Sequence, residues 1–352
     1  MVTYTQLLWV VVLALVANGF AVSQRVEAQG TLILYAPDKS ASHVSALSYP
    51  EGKKLYQLNV GTGPHEAASS PDKKMVVISD YGKEEPGHTI SLIDVALAKV
   101  EKTITLKEYG RPHGLAFLPD AKGILVTTEA PDALLMVDLE QGTIVKAMPT
   151  VQKKSHMVAL SPDATLAFVA NVESGSVSVV DLNRWELVKT IATAEGAEGI
   201  AVVPGSKEVW VTNRASGSVS IIDIPTLRVV KTLPVPGFPI RAAHVASQNV
   251  VLVTAAHSAL LYVFDVKTRA VLHKIAMPGL STLKVDTEGR LFGDRFVRSS
   301  APIGILLTPD ESAALIANSY ADVISVVSLV TWKVDRLIPV AREPDGMAWG
   351  LR

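Results

Sequence analysis

Three histidines and a carboxylate, His65, His113, His156 and Glu198, each open a short run of small and apolar residues: PHEAAS, PHGLAFL, SHMVAL and AEGIAVV. Imidazole and carboxylate donors converging without thiolates suit Zn²⁺, Cu²⁺, Ni²⁺ or Fe²⁺, with a coordination position left for water or substrate. At a wet channel mouth the same side chains would instead hydrogen-bond to loop carbonyls and trapped water. Either chemistry needs four residues that are distant in sequence to meet in space, so the elements that carry them decide the matter.

Those elements repeat. Pro-Asp or Pro-Gly pairs begin at Pro71, Pro119, Pro162, Pro204 and Pro309, and an apolar-Asp step recurs at Asp94, Asp138, Asp181, Asp223 and Asp265, in steps of 44, 43, 42 and 42 residues. Within one unit, EGIAVVPGSKEVWVTNRASGSVSIIDIPTLRVVKTLPV from Glu198 to Val235, four β-branched runs alternate with Gly, Pro, Asn and Ser clusters, which reads as four strands. Four-stranded units of this period are the signature of propeller blades, each burying its two faces against its neighbours. Residues 31–61 supply three strands of a unit and lack the first; PDGMAWG at 344–350 supplies it and closes the ring. The expectation is an all-β, seven-bladed propeller over residues 29–352, with the extra length near 281–300 read as an insertion.

The segments VWVTN at 209–213, AFVAN at 167–171 and ALIAN at 314–318 resemble the YVTN-repeat β-propeller family. The resemblance covers the chain after its amino-terminal segment and implies a secreted or periplasmic seven-bladed propeller, while leaving chemistry open because propellers host many functions. Asp80, Thr128 and Ala255 stand where other blades have Asn, and Ser247-Gln248 replaces the Pro-Asp pair, so the blade around 239–277 departs most from the pattern. Asn171, Asn213 and Asn318 are expected in turns, since Asn tolerates left-handed backbone.

Aligning the start of every innermost strand places one residue per blade at one mouth of the central channel: Asp345, His65, His113, His156, Glu198, Ile240 and Ile303. Five neighbours carry donor groups and two isoleucines complete the circle, so a liganding arc faces an apolar one, as binding pockets require. The loops YGKEEPGH (81–88) and AAHS (255–258) and the insertion STLKVDTEGRLFGDRFVRSS belong to the same face. LKVDTEGRLF reads as a hairpin around Glu288-Gly289, and Arg290, Arg295 and Arg298 would stand near the mouth to hold an anion or, failing that, pair on the surface. Ligand-binding residues are thus expected at Asp345, Arg295 and Arg298, and His88 and His257 are read as loop residues.

Composition narrows the partners. The chain has 352 residues, 48% hydrophobic and 19% charged, with 33 basic against 34 acidic side chains; it can bury a large core and lacks the basic footprint of nucleic-acid binding. The absence of cysteine excludes disulfides, thiolate metal sites and cysteine nucleophiles. An apolar run from Leu7 to Ala17 is followed by Val26-Glu27-Ala28, which reads as a secretory signal over 1–28 cut after Ala28. That segment lacks a basic n-region, so an uncleaved membrane anchor is the alternative; either way the body is periplasmic or secreted.

Two function classes follow. One is an exported binding or scaffold protein whose channel-mouth face takes a small molecule or an envelope protein. The other is a metal-dependent periplasmic enzyme of lyase, lactonase or hydrolase type, with the ion polarising a substrate oxygen and Glu198 or Asp345 as acid or base. Neither a Gly-x-Ser-x-Gly elbow nor a P-loop is present, and Cys-x-x-Cys-His haem attachment is excluded with cysteine.

Overall fold

A computed structural model describes residues 30–283, 285, 290, 293–296 and 298–352. Residues Thr31–Arg352 form one compact unit, built from seven four-stranded antiparallel sheets. Six of these sheets use four consecutive strands each; the first joins Leu32–Asp38, His43–Ser48 and Lys54–Asn59 to the carboxyl-terminal strand Ala348–Leu351. Leu34 pairs with Trp349 and Tyr35 with Ala348, so the ring closes as the sequence implies and no blade is left with an open inner edge. Residues 239–276, the most degenerate blade in sequence, form a regular sheet like the others. Among the described residues no helix is long and apolar enough to cross a membrane.

The repeating aspartates are turn caps. Asp94, Asp138, Asp181, Asp223 and Asp265 each accept a backbone N–H three residues on, from Leu97, Gln141, Arg184, Thr226 and Thr268. Asp72, Asp120, Asp163 and Asp310 of the Pro-Asp pairs do the same two residues on, the side-chain-to-backbone bond that stabilises tight turns. Between neighbouring blades the strand faces meet in apolar clusters; Trp210, Val219 and Ile221 of one blade, for example, pack on Val251, Tyr262 and Phe264 of the next.

Asn171, Asn213 and Asn318 do not lie in turns with left-handed backbone. They are the last residues of the strands Leu166–Asn171, Glu208–Asn213 and Ala313–Asn318, fully buried, with none at positive φ. Their carboxamides reach across the hairpin: Asn213 donates to the hydroxyls of Ser218 and Ser220, and Asn171 to those of Ser176 and Ser178. Asn is used here for its two donors rather than for its backbone tolerance. The hairpin expected around Glu288-Gly289 lies outside the described residues.

Candidate functional site

Two backbone devices aim the mouth residues. The residue two positions before each one is left-handed in all seven blades: Gly63, Arg111, Lys154, Gly196, Phe238, Ala301 and Glu343, with φ between 52° and 83°. Six of the seven inner strands then carry a bulge, and only Ala348–Leu351 pairs in unbroken register. Pro64 pairs with Asp80 and Ala67 with Ile78, so His65 and Glu66 together oppose the single residue Ser79; the same two-against-one register sets His113 and Gly114 opposite Thr127, Glu198 and Gly199 opposite Thr212, and Ile240 and Arg241 opposite Thr254. Bulges re-aim side chains beside functional sites. In these four blades the hydroxyl facing the bulge accepts the N–H of Glu66, Gly114, Gly199 or Arg241. The three threonines also donate to the carbonyls of His156, Ile240 and Ile303 in the following blade. These threonines thus lock three mouth positions to the next blade, whereas Ala170 and Ala317 stand opposite the bulge in two other blades.

The three histidines come together in one stack. The rings of His113 and His156 are 3.4 Å apart at their centroids and 29° from parallel, and His65 lies 4.4 Å from His113. His113 is fully buried, and His156, Glu198 and Asp345 nearly so. His156 is bracketed by carboxylates, Nδ1 at 2.6 Å from Glu129 and Nε2 at 3.3 Å from Glu198. Burial opposes its protonation, but the hydrogen bonds to Glu129 and Glu198 outweigh it and raise its pKa. For His113 burial and then the neighbouring His156 and His65 push the pKa well below the ordinary value, and burial with Lys39 lowers that of His65. The surroundings thus favour the proton on His156 and disfavour it on His113 and His65.

Sequence reasoning missed the groups that hold this stack. Arg241 enters the channel and meets carboxylates from three blades: it bonds Glu66 directly, and stands 3.5 Å from Glu198 and 3.7 Å from Asp345. Lys39 closes on Asp345 at 2.8 Å and Arg214 on Glu198 at 2.7 Å. Burial pushes the Glu198 and Asp345 carboxyls upward, but these cations win and hold both below the usual carboxylate range. Four acids, Glu66, Glu129, Glu198 and Asp345, therefore face Lys39, Arg214, Arg241 and His156, so each buried carboxylate has a cationic or protonatable neighbour. One signal was available in sequence. The residue after the mouth position is glycine in four blades, and at Gly199 and Gly304 a Cβ would strike the next blade's Ile240 or Asp345 carbonyl; of the three residues that break that glycine rule, the charged Glu66 and Arg241 turn into the channel while Met157 packs in an apolar cluster.

Neither ring nitrogen of His113 has a hydrogen-bond partner, nor does Nδ1 of His65. His65, Glu66 and His113 can each place a donor atom within 4.8 Å of the others, with His65 Nδ1 at 3.5 Å and His113 Nε2 at 4.0 Å from Glu66 Oε1. Beside them lies a cavity of about 300 Å³ whose lining includes the polar His65, His156, Glu198 and Asp345 and the apolar Phe238, Ile240, Phe296 and Ile303, but not His113. Arg295 lines this cavity, whereas Arg298 is exposed and is not among the lining residues. Arg290 is buried in a bidentate pair with Asp322, at 2.9 and 2.6 Å, and serves the scaffold. His88 is exposed in the strand Pro86–Asp94, and His257 stacks on Phe238 at 4.4 Å.

Fold and site together define a seven-bladed β-propeller with a polar, titratable channel mouth. Residues 121–288 match the family model described as YNCE-like beta-propeller. No curated protein matches the chain by sequence. Among solved structures it is similar to a functionally unknown protein from Desulfotomaculum acetoxidans DSM 771, at 14% identity and a TM-score of 0.74 over 91% of this chain and 99% of that one. It is also similar to Kuenenia stuttgartiensis hydrazine synthase, at 18% identity and 0.67 over 82% and 91%. A third likeness, to dihydro-heme d1 dehydrogenase NirN in complex with DHE, has 14% identity and a TM-score of 0.63 over 90% and 74%. At such identities the likeness is one of fold.

Proposed function

We propose that the protein is an exported binding protein of the cell envelope that holds a divalent transition-metal ion (Zn²⁺, Cu²⁺, Ni²⁺ or Fe²⁺) beside its channel-mouth cavity. The observation that carries this reading is the fully buried His113 with neither ring nitrogen hydrogen-bonded. An unsatisfied buried polar group costs about 1–3 kcal/mol, so an ion or an ordered water completes it. A depressed pKa keeps His113 and His65 neutral, the state a metal ligand needs. The ligands proposed are His65, Glu66 and His113. His156 and Glu198, which the spacing also brings to the mouth, act beside them, since both nitrogens of His156 already face carboxylates and Glu198 already holds Arg214. Export rests on the signal-like segment at 1–28.

Binding is favoured over metal-dependent catalysis because the acids expected to move protons are pinned. Glu198 and Asp345 are each held ionised by buried cations, and a general acid or base needs a pKa near the working pH. The test is metal content of the full chain purified without chelator, by mass spectrometry, beside His113→Leu. Bound ion in the parent and its loss in the variant are expected; a metal-free parent that also takes up none of the four ions overturns the metal reading.

A further inference from the structure

The cavity beside the histidine stack carries more positive charge than its own acids neutralise. Its cationic lining is Lys39, Lys83, Lys154, Arg214 and Arg295, against Glu198 and Asp345. Lys39 and Arg214 are committed to those two carboxylates, at 2.8 and 2.7 Å. Lys83, Lys154 and Arg295 form no ion pair among the described residues; Lys83 reaches only the Ser40 carbonyl, at 2.5 Å. Three cations of three different segments thus line one space without a direct ion pair, and Lys154 feels a protein carboxylate, Glu129, only through space.

Lys154 and Phe238 stand at the left-handed positions, φ 61° and 67°, two residues before His156 and Ile240, in the turn that every blade uses. Both side chains line the cavity. Phe238 faces Phe296 at 6.3 Å, and Phe296 is packed with Ile240 and Ile303 in one buried cluster. A cationic rim beside an aromatic wall fits a ligand with two unlike ends.

We propose that this cavity binds a small organic anion, a carboxylate or phosphate ester whose apolar body lies against Phe238 and Phe296 while its charge meets Lys83, Lys154 and Arg295. The proposal rests on the cavity being a binding site and not on the ion beside it. The test is calorimetric titration of the full chain at low salt with phenyl phosphate, phenylacetate and inorganic phosphate. At least one aromatic anion binds, tighter than inorganic phosphate by tenfold or more, and the tighter of the two aromatic probes tells phosphate ester from carboxylate. The double variant Lys83→Gln/Lys154→Gln, whose changes lie on exposed or half-exposed side chains, melts as the parent does and loses tenfold or more of that affinity. No binding of any probe at millimolar concentration, or a double variant that binds like the parent, overturns the proposal. An anion bound by a protein that takes up none of the four ions sinks the metal reading alone, and metal bound without any anion sinks this one alone.

Discussion

His156 lies between Glu129 and Glu198 and against His113 and carries the one raised imidazole pKa of the stack. A group whose folded pKa exceeds its unfolded value of about 6.5 contributes stability in full below that value and loses it as pH rises through the folded pKa. His65 and His113 act in the opposite sense: their pKa values are depressed, so the unfolded chain takes up protons first as pH falls below about 6.5, and stability drops. In the parent these two trends oppose each other. Replacing His156 by Gln removes the first and leaves the second, so urea midpoints measured between pH 5 and 9 should show less loss on the alkaline side than in the parent. A variant whose pH profile superimposes on the parent's contradicts the raised His156 pKa.

At the scale of strands, one carboxylate sits where the repeat uses a carboxamide. Asp80 ends the same strand position as Asn213, and its Oδ2 accepts from Thr89 and Ser91 where Asn213 donates to Ser218 and Ser220. Burial raises the Asp80 pKa to about 6, so the folded protein loses stability as pH rises from about 3.9, its unfolded value, through 6. Asp80→Asn should therefore stabilise at pH 7 by on the order of 3 kcal/mol, taking about two pKa units at 1.36 kcal/mol each, with the gain gone near pH 4; an unchanged or lowered melting temperature at pH 7 would count against it. The same strands show what the sequence could disclose. The repeat period and the alignment of strand starts placed His65, His113, His156, Glu198 and Asp345 at one mouth because each blade of the ring repeats its first residue. Glu66 and Arg241 escaped because a bulge lets two successive residues face the channel, and strict alternation assigns the second to the opposite face. Lys39 and Arg214 escaped because they stand outside the aligned inner strands and reach the mouth only by side-chain length.

For the whole molecule, ring closure and site assembly are one event. The carboxyl-terminal segment brings Asp345 to Lys39, donates the Gly346 N–H to the His65 carbonyl at 3.1 Å, and buries Trp349, whose indole N–H meets the Leu307 carbonyl at 2.7 Å. Deleting residues 343–352 opens the first blade and should lower the melting temperature by 10 °C or more, since the loss of a buried Trp alone costs about 3–5 kcal/mol and each kcal/mol is worth about 2 °C or more at this size; a truncated chain that melts like the parent contradicts closure as the source of stability. Because the propeller delivers one residue from each blade to a common point, the central claim is that His65, Glu66 and His113 act there as a single metal-binding unit. The most direct measurement is a Co²⁺ titration of the full chain followed by visible absorption, with Zn²⁺ competition, for the parent and His113→Leu. The account predicts a ligand-field band that saturates at micromolar Co²⁺, weakens as pH falls below about 6.5 as the imidazoles protonate, is displaced by Zn²⁺, and vanishes in His113→Leu while the melting temperature of the metal-free protein holds or rises. A parent that develops no band and binds no Zn²⁺, or a variant that binds as the parent does, contradicts it.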